Sequence, residues 1–284
     1  MTRGRRAEAR GAAGAGSGVA SVLRARDMTS KFAGFPKDTV RFLRALARNN
    51  SEEWMRTNRA RYEASILTPA RAAVVAVGEA LVAAGCQVVA DPRVNGSIFR
   101  IARDRRFRPD APPYKAHLAL LWWADAGPLD AGVVGAPGRG GGRMELPSFY
   151  IQIATTGGEL GVGLPEVPRQ QLPQFRSWLV ERDNAARFLA TIDAAAGAGV
   201  EWYGTPLLRA PHGFRGLDTV RDRAVRYRGV WGGWTLGSHP PELFTGAFAE
   251  WFVESCRPLM PFWQVFSEGL RAARGDSLSN ADLL

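Results

Sequence analysis

The stretch FYIQIATTGGELGVGL, residues 149–164, decides the fold class. Two runs of strand character, Phe149–Thr155 and Glu159–Leu164, flank Gly157-Gly158, and paired glycines between such runs signal a tight antiparallel hairpin. Upstream, His117–Trp123 is apolar on both parities, the pattern of a strand covered on both faces. Ser97–Ala102 alternates, with Phe99 and Ile101 on one side and Ile98 and Arg100 on the other. Carrying that parity further would set Arg103 among the apolar residues. The strand is therefore expected to end near Ala102 and to release Arg103 and Asp104 into a loop. Residues 125–147, rich in Gly and Pro, are too many for a hairpin loop and read as an inserted, mobile excursion. Tyr227–Leu236 holds Trp231 and Trp234 among glycines and reads as a strand or an aromatic loop.

Helical patterns lie on both sides of this strand-rich middle. From Pro36, the residues Val40, Leu43, Leu46 and Ala47 share one face, with Arg41, Arg44 and Arg48 opposite. Asn49-Asn50 ends that helix, and this pair reads as a terminus and turn rather than as a ligand site. Ser51 is an N-cap, with Glu52 and Glu53 in the first turn where the helix dipole favours acids. The second helix carries Trp54, Tyr62 and Ile66. Thr68-Pro69 is expected to restart a third helix, Thr68 as cap and Pro69 at the tolerated first position, running to Gly85. After Pro173 come two helical faces, Phe175, Trp178 and Leu179, then Phe188, Leu189 and Ile192. Pro240-Pro241 precedes a helix with Leu243, Phe244, Phe248 and Trp251. Pro258 and Pro261 break it before a last helix that ends at Gly275. Helices, a mostly antiparallel central sheet, then helices make an α+β class, in one domain spanning residues 32–275, with residues 276–284 a tail.

Composition narrows the function. The chain of 284 residues is 46% hydrophobic and 10% aromatic, which is enough for a core. Its net charge of +10 is concentrated in two places. Residues 1–31 hold seven Arg or Lys against two acids, residues 93–115 hold the same, and the 23 bases and 23 acids elsewhere cancel. Residues 1–31, largely Ala and Gly beyond the first arginines, read as a disordered basic tail. Met28 is an alternative start, and no apolar segment of a secretory signal follows the arginines. No uninterrupted apolar run approaches the roughly 20 residues of a bilayer span, so no membrane partner is expected. Cys86 and Cys256 alone exclude a disulfide framework and read as small core residues. Together these features place the expected location in the cytoplasm.

Several chemistries lack their signatures. There is no G-x-x-x-x-G-K-[ST] phosphate loop and no G-x-S-x-G elbow. The histidines, His117, His212 and His239, fall in no metal-binding spacing, so neither a metal nor a cofactor is expected. The densest segment is SIFRIARDRRFRPDAPPYK, residues 97–115. Its guanidinium groups interleave with Phe99, Phe107 and Tyr114, and Pro112-Pro113 stiffens the approach to Lys115. Arginine supplies a planar fork of donors for phosphate or carboxylate, and lysine a compact charge. The candidate ligand-binding residues are Arg100, Arg103, Asp104, Arg106, Tyr114, Lys115 and Arg209. Arg209 belongs to a second wall, LLRAPHGF, residues 207–214. Asp104 has two readings, a support for a guanidinium or an acid–base group. His117 follows Lys115 closely and reads as a structural histidine.

FAGFPKDTVRFLRALARNNSEEWMRTNRARYE, SIFRIARDRRFRPDAPPYK, SFYIQI and LLRAPHGF occur in that order from Phe32 onward, and the chain resembles the domain of unknown function 2461 family on these segments. Asn49-Asn50 with Trp54, the 103–107 segment and Pro113-Tyr114-Lys115 carry the resemblance most specifically. The chain departs from the family pattern at Met55, where Phe is usual, and at Ala111, where Lys is common. The resemblance implies no activity, cofactor or catalytic residue. Three functional classes stand: a site for an anionic small molecule, enzymatic or not; a nucleic-acid binder; and an interaction or structural protein whose Arg-Asp network is internal scaffolding. The neutral charge balance outside two short segments argues against an extended phosphate-tracking surface.

Overall fold

The hairpin at 149–164 lies in the middle of the sheet. The computed structural model describes residues 32–106, 108–125, 142–181, 183–204 and 206–275. The tails at 1–31 and 276–284, Phe107 and residues 126–141 of the Gly/Pro-rich excursion lie outside the described residues. In chain order the elements are α1 (Lys37–Arg48), α2 (Glu52–Thr57), α3 (Arg59–Ala83), β1 (Val88–Val89), β2 (Leu118–Ala124), β3 (Ser148–Ile153) and β4 (Gly158–Leu164). They continue with α4 (Leu172–Val180), α5 (Asn184–Gly197), β5 (Glu201–Tyr203), α6 (Thr219–Val225), β6 (Val230–Leu236), α7 (Phe248–Cys256) and α8 (Met260–Arg274). The six strands form one antiparallel sheet in the order β1-β2-β3-β4-β6-β5. The fold class is α+β, with helical segments on either side of the sheet in the chain.

Gly157 takes φ +57° at the β3–β4 turn, and a Cβ there would meet the Leu236 carbonyl oxygen at 1.8 Å. Only glycine fits both constraints. From that turn the register pairs Ile153 with Gly158 and Phe149 with Val162. The even positions of β2 and β4 and the odd positions of β3 then face the helices. Leu118, Leu120, Trp122, Phe149, Ile151, Ile153, Leu160 and Val162 are buried there against α1, α3 and α7. Trp122 Nε1 donates to the Val74 carbonyl of α3 at 2.9 Å, which gives a fully buried indole its one partner. A second cluster joins Leu164 and Val230 to α4, α5, α6 and α8 through Phe175, Phe188, Phe262 and Phe266. Each fully buried Phe or Leu contributes roughly 1.5–3 kcal/mol by leaving water, and truncating one such as Leu43 to Ala costs about 2–5 kcal/mol.

The helical faces follow the periodicity, with local departures. In α1 the buried face includes Phe42 beside Val40, Leu43 and Leu46, whereas Ala47 is exposed. Ser51 caps α2, accepting from the Trp54 amide at 3.2 Å. The expected restart at Thr68-Pro69 does not occur. Residues Glu63–Leu67 form a π turn and the helix runs on through Thr68, which is helical and caps nothing. The wider π turn absorbs Pro69, whose missing N–H and bulky ring would break a regular helix. The resulting α3, Arg59–Ala83, is by length and composition apolar enough to cross a bilayer, although charged at Arg71 and Glu79. Half of its most apolar window is buried within the domain, as in a core helix.

The strand expected at Ser97–Ala102 is reduced to isolated bridges, Ile98 to Leu120 and Ala102 to Tyr114. Four residue steps on one arm thus face six on the other, so the arm between Tyr114 and Leu120 bulges. Alternation breaks with it: Ile98 and Ile101 both turn into the core, while Phe99 and Arg100 turn out. Arg103 and Asp104 leave into a loop, as their parity predicts. The short edge strands β1 and β5 carry no periodic signal long enough to read.

Candidate functional site

The helices pack on one face of the sheet. On the other face the odd positions of β2 and β4 and the even positions of β3 form the floor of a cleft. Ala119, Leu121, Ser148, Tyr150, Glu159, Gly163 and Trp231 line it, in a cavity of about 420 Å³. Small residues make this floor. A Cβ on Gly161 would lie 2.5 Å from Cζ2 of Trp231, so the indole rests directly on the bare backbone of β4. Phe99, Tyr150 and Trp231 form a row of edge-on rings, with centroids 6.1 and 5.8 Å apart.

Lys115 and His117 enter this cleft from the bulged arm that leads into β2. A second cavity, about 670 Å³, adjoins the first and shares Phe99, Lys115 and Met144 with it. Its other walls include Arg100, Arg103, Asp104, Arg105, Arg106 and Arg143. The cleft therefore runs from an aromatic floor to a cationic mouth.

The mouth is held by the segment that carries Asn49-Asn50. Asn49 closes α1, donating to the Ala45 carbonyl at 2.9 Å. Asn50 grips the backbone of Tyr114: its Nδ2 donates to the Tyr114 carbonyl and its Oδ1 accepts from the Tyr114 amide, each at 3.0 Å. Arg103 Nε donates to the same carbonyl at 3.1 Å. Lys115 N bonds the Ile101 carbonyl at 2.8 Å, so Lys115 projects from a backbone fixed on both sides. Tyr114 thus serves through its main chain, while its half-buried ring packs against the core.

Cations outnumber the one carboxylate, Asp104, at the mouth. The Lys115 ammonium lies 5.7 Å and the Arg143 guanidinium 4.7 Å from the centroid of the Phe99 ring, within cation–π range. Among the described residues no carboxylate makes an ion pair with Lys115, Arg103 or Arg143. Burial, and then the charges of Arg100, Arg103 and Arg143, push the Lys115 ammonium below its ordinary value. The same causes act on His117. Burial, then Lys115 and Arg103, lower it to about 4, so its imidazole is neutral at pH 7. Arg143 is also lowered by burial, and its Nε is buried without a partner.

Asp104 has a different role. It accepts from Arg106 Nε at 2.9 Å, lies 3.9 Å from Arg100, and is held down at about 2 chiefly by the Arg106 hydrogen bond. Ionised near neutral pH, it supports the guanidinium groups of Arg106 and Arg100. Arg106 is spent on Asp104 at the surface. Arg209 is exposed and is not among the residues lining either cavity. The 97–115 segment therefore divides: Arg103 and Lys115 face open space, whereas Arg106 is paired with Asp104.

Four cleft residues carried no sequence signal. Arg143 arrives from a single 3-10 turn, Gly142–Glu145, near the end of the Gly/Pro-rich excursion. Tyr150, Glu159 and Trp231 lie on strands whose cleft-facing parity resembles any half-exposed sheet face. Trp122 is buried in the core, while Trp231 lines the cleft.

No curated protein and no solved structure matches this chain. The family described as conserved hypothetical protein (DUF2461) matches residues 38–264, which include every element from α2 to α7, all of α1 but its first residue, and all of the cleft. The chain belongs to the DUF2461 family of conserved hypothetical proteins.

Proposed function

We propose that the cleft binds a small molecule bearing a phosphate or carboxylate group, in a protein of the cytoplasm. The observation that carries this reading is the convergence of Lys115, Arg103 and Arg143 on an open cavity with no carboxylate paired to them. Like charges brought together against partial burial raise the energy of the empty site, and an anion relieves it. The neutral floor of Leu121, Tyr150 and Trp231 supplies apolar area for the body of the ligand. Both thiols are free and buried, in keeping with a reducing compartment.

The test is thermal stabilisation by a panel of phosphorylated and carboxylated metabolites. Arg103→Gln and Lys115→Gln each remove one charge-assisted contact, so each weakens binding about 10- to 100-fold. Lys115→Gln alters a side chain that reaches the cavity, so its ligand-free melting temperature stays within about 2 °C of the parent, whereas Arg103→Gln also gives up the bond to the Tyr114 carbonyl and loses a few degrees more. Unfolding of both variants, or unchanged stabilisation by the panel, refutes the reading.

A further inference from the structure

The cleft has a second pole. Resting on the anion-binding reading above, we infer that its ligand also carries a cationic nitrogen, bound at the Glu159 end, so that the natural ligand is a zwitterion.

Glu159 lies in β4, beside Gln152 of β3 and Thr235 of β6. It lines the main cavity together with Lys115, and it also lines an adjoining cavity of about 250 Å³. Tyr150, Tyr203 and Trp231 wall that second space. Trp231 meets Tyr150 edge-on, with centroids 5.8 Å apart. Tyr203 is steadied by its hydroxyl, which donates to Glu201 at 3.0 Å. Among the described residues Glu159 has no ion-pair partner. No Lys or Arg lines this smaller cavity. A carboxylate set among electron-rich ring faces recognises an ammonium group, by charge and by cation–π attraction. Burial, and then the charge of Glu159, push the Tyr150 hydroxyl up to about 12, so the ring stays neutral beside that carboxylate.

The strand register sets the part of the span that crosses the sheet. Ala119 of β2 pairs with Gln152 of β3, which pairs with Glu159 of β4. Two interstrand spacings separate Ala119 from Glu159, roughly 10 Å. Lys115 and His117 precede Ala119 on the same side of the cleft. Lys115 stands four residues before Ala119, so a ligand whose acid and amine lie about that far apart or farther, joined by an apolar or aromatic body, fills the floor between them.

The experiment is calorimetric titration of the full chain at pH 7. The probes are octanoate and the ω-amino acids aminobutanoate, aminohexanoate and aminooctanoate. Aminooctanoate is expected to bind about 10-fold or more tighter than octanoate, with the gain fading as the chain shortens. Glu159→Gln, an exposed substitution, removes that gain, while octanoate still binds in a Lys115-dependent manner. Lys115→Gln weakens both. If octanoate binds in a Lys115-dependent manner and aminooctanoate binds no tighter, the cationic subsite is refuted and the anion cleft survives. If neither carboxylate binds with dependence on Lys115, both readings fall. The comparison of the two probes on the unaltered protein decides the matter even if a variant does not fold.

Discussion

His117 reports the electrostatics of the cleft, and its titration tests them. Its folded value is lowered to about 4 from 6.5, by burial first and then by Lys115 and Arg103. Between those two values the unfolded chain binds a proton that the folded chain does not. The stability that depends on a neutral His117 is therefore complete above pH 6.5 and is lost as pH falls toward 4. pH 5 lies 1.5 units below the 6.5 of the unfolded group, which corresponds to about 2 kcal/mol. Solvent reaching the half-buried ring trims this toward about 1 kcal/mol. Carboxylates confuse this window little. Asp38, held at about 2 chiefly by its hydrogen bond from Arg61, starts from 3.8 and loses its contribution at lower pH. The assay is urea unfolding at pH 7 and pH 5 for the parent and for His117→Asn. The parent should lose about 1–2 kcal/mol more than the variant between the two. Proton NMR of the His117 ring gives the titration directly. Lys115→Gln should raise its midpoint, though burial keeps it below 6.5. Anion binding at the mouth should raise it too. A His117 that titrates near its ordinary value, or a variant with the same pH dependence as the parent, refutes the electropositive cleft.

Three further outcomes follow from the geometry. Asn50→Ala removes both bonds to the Tyr114 backbone and should cost about 1–3 kcal/mol in urea unfolding, with weaker anion binding because Lys115 loses its support. Gly161→Val drives side-chain atoms into the Trp231 indole. It should leave the helical core folded by circular dichroism, yet shift tryptophan fluorescence and abolish the preference for aminooctanoate. Cys86 is pushed up to about 11 and Cys256 well above the ordinary thiol value, both by burial. Neither should react with a disulfide reagent at pH 8 until the protein is denatured, and labelling of the native protein would contradict the packing around α7.

The helices and the hairpin were readable because their causes are local. The Phe188, Leu189 and Ile192 face, the Ser51 cap and the Gly157-Gly158 turn each depend on residues within a few positions of one another. The π turn at Glu63–Leu67 was not readable, because Pro69 after Thr68 is equally a start signal in isolation. Tertiary packing of Tyr62, Ile66 and Ala70 carries the helix through instead. The bulge before β2 escaped for a related reason. Alternation in Ser97–Ala102 looks regular until the partner arm supplies six steps against four.

The candidate site divides in the same way. Residue type and proximity alone marked Arg103 and Lys115, because a run of guanidinium groups among aromatics is visible on one segment. Whether each charge faced a ligand or a carboxylate was a question of three dimensions. Asp104 took Arg106, Asn50 took the Tyr114 backbone, and Lys115 was left to the cavity. Tyr150, Glu159, Trp231 and Arg143 come from segments far apart in the chain, and only pairing across β2, β3, β4 and β6 brings them to one floor. The sequence by itself determined an α+β chain with half of its excess charge in the 93–115 segment. The antiparallel register decided which side of the sheet stays open and what that charge meets across it, because a strand's facing parity has meaning only once its neighbours are in place.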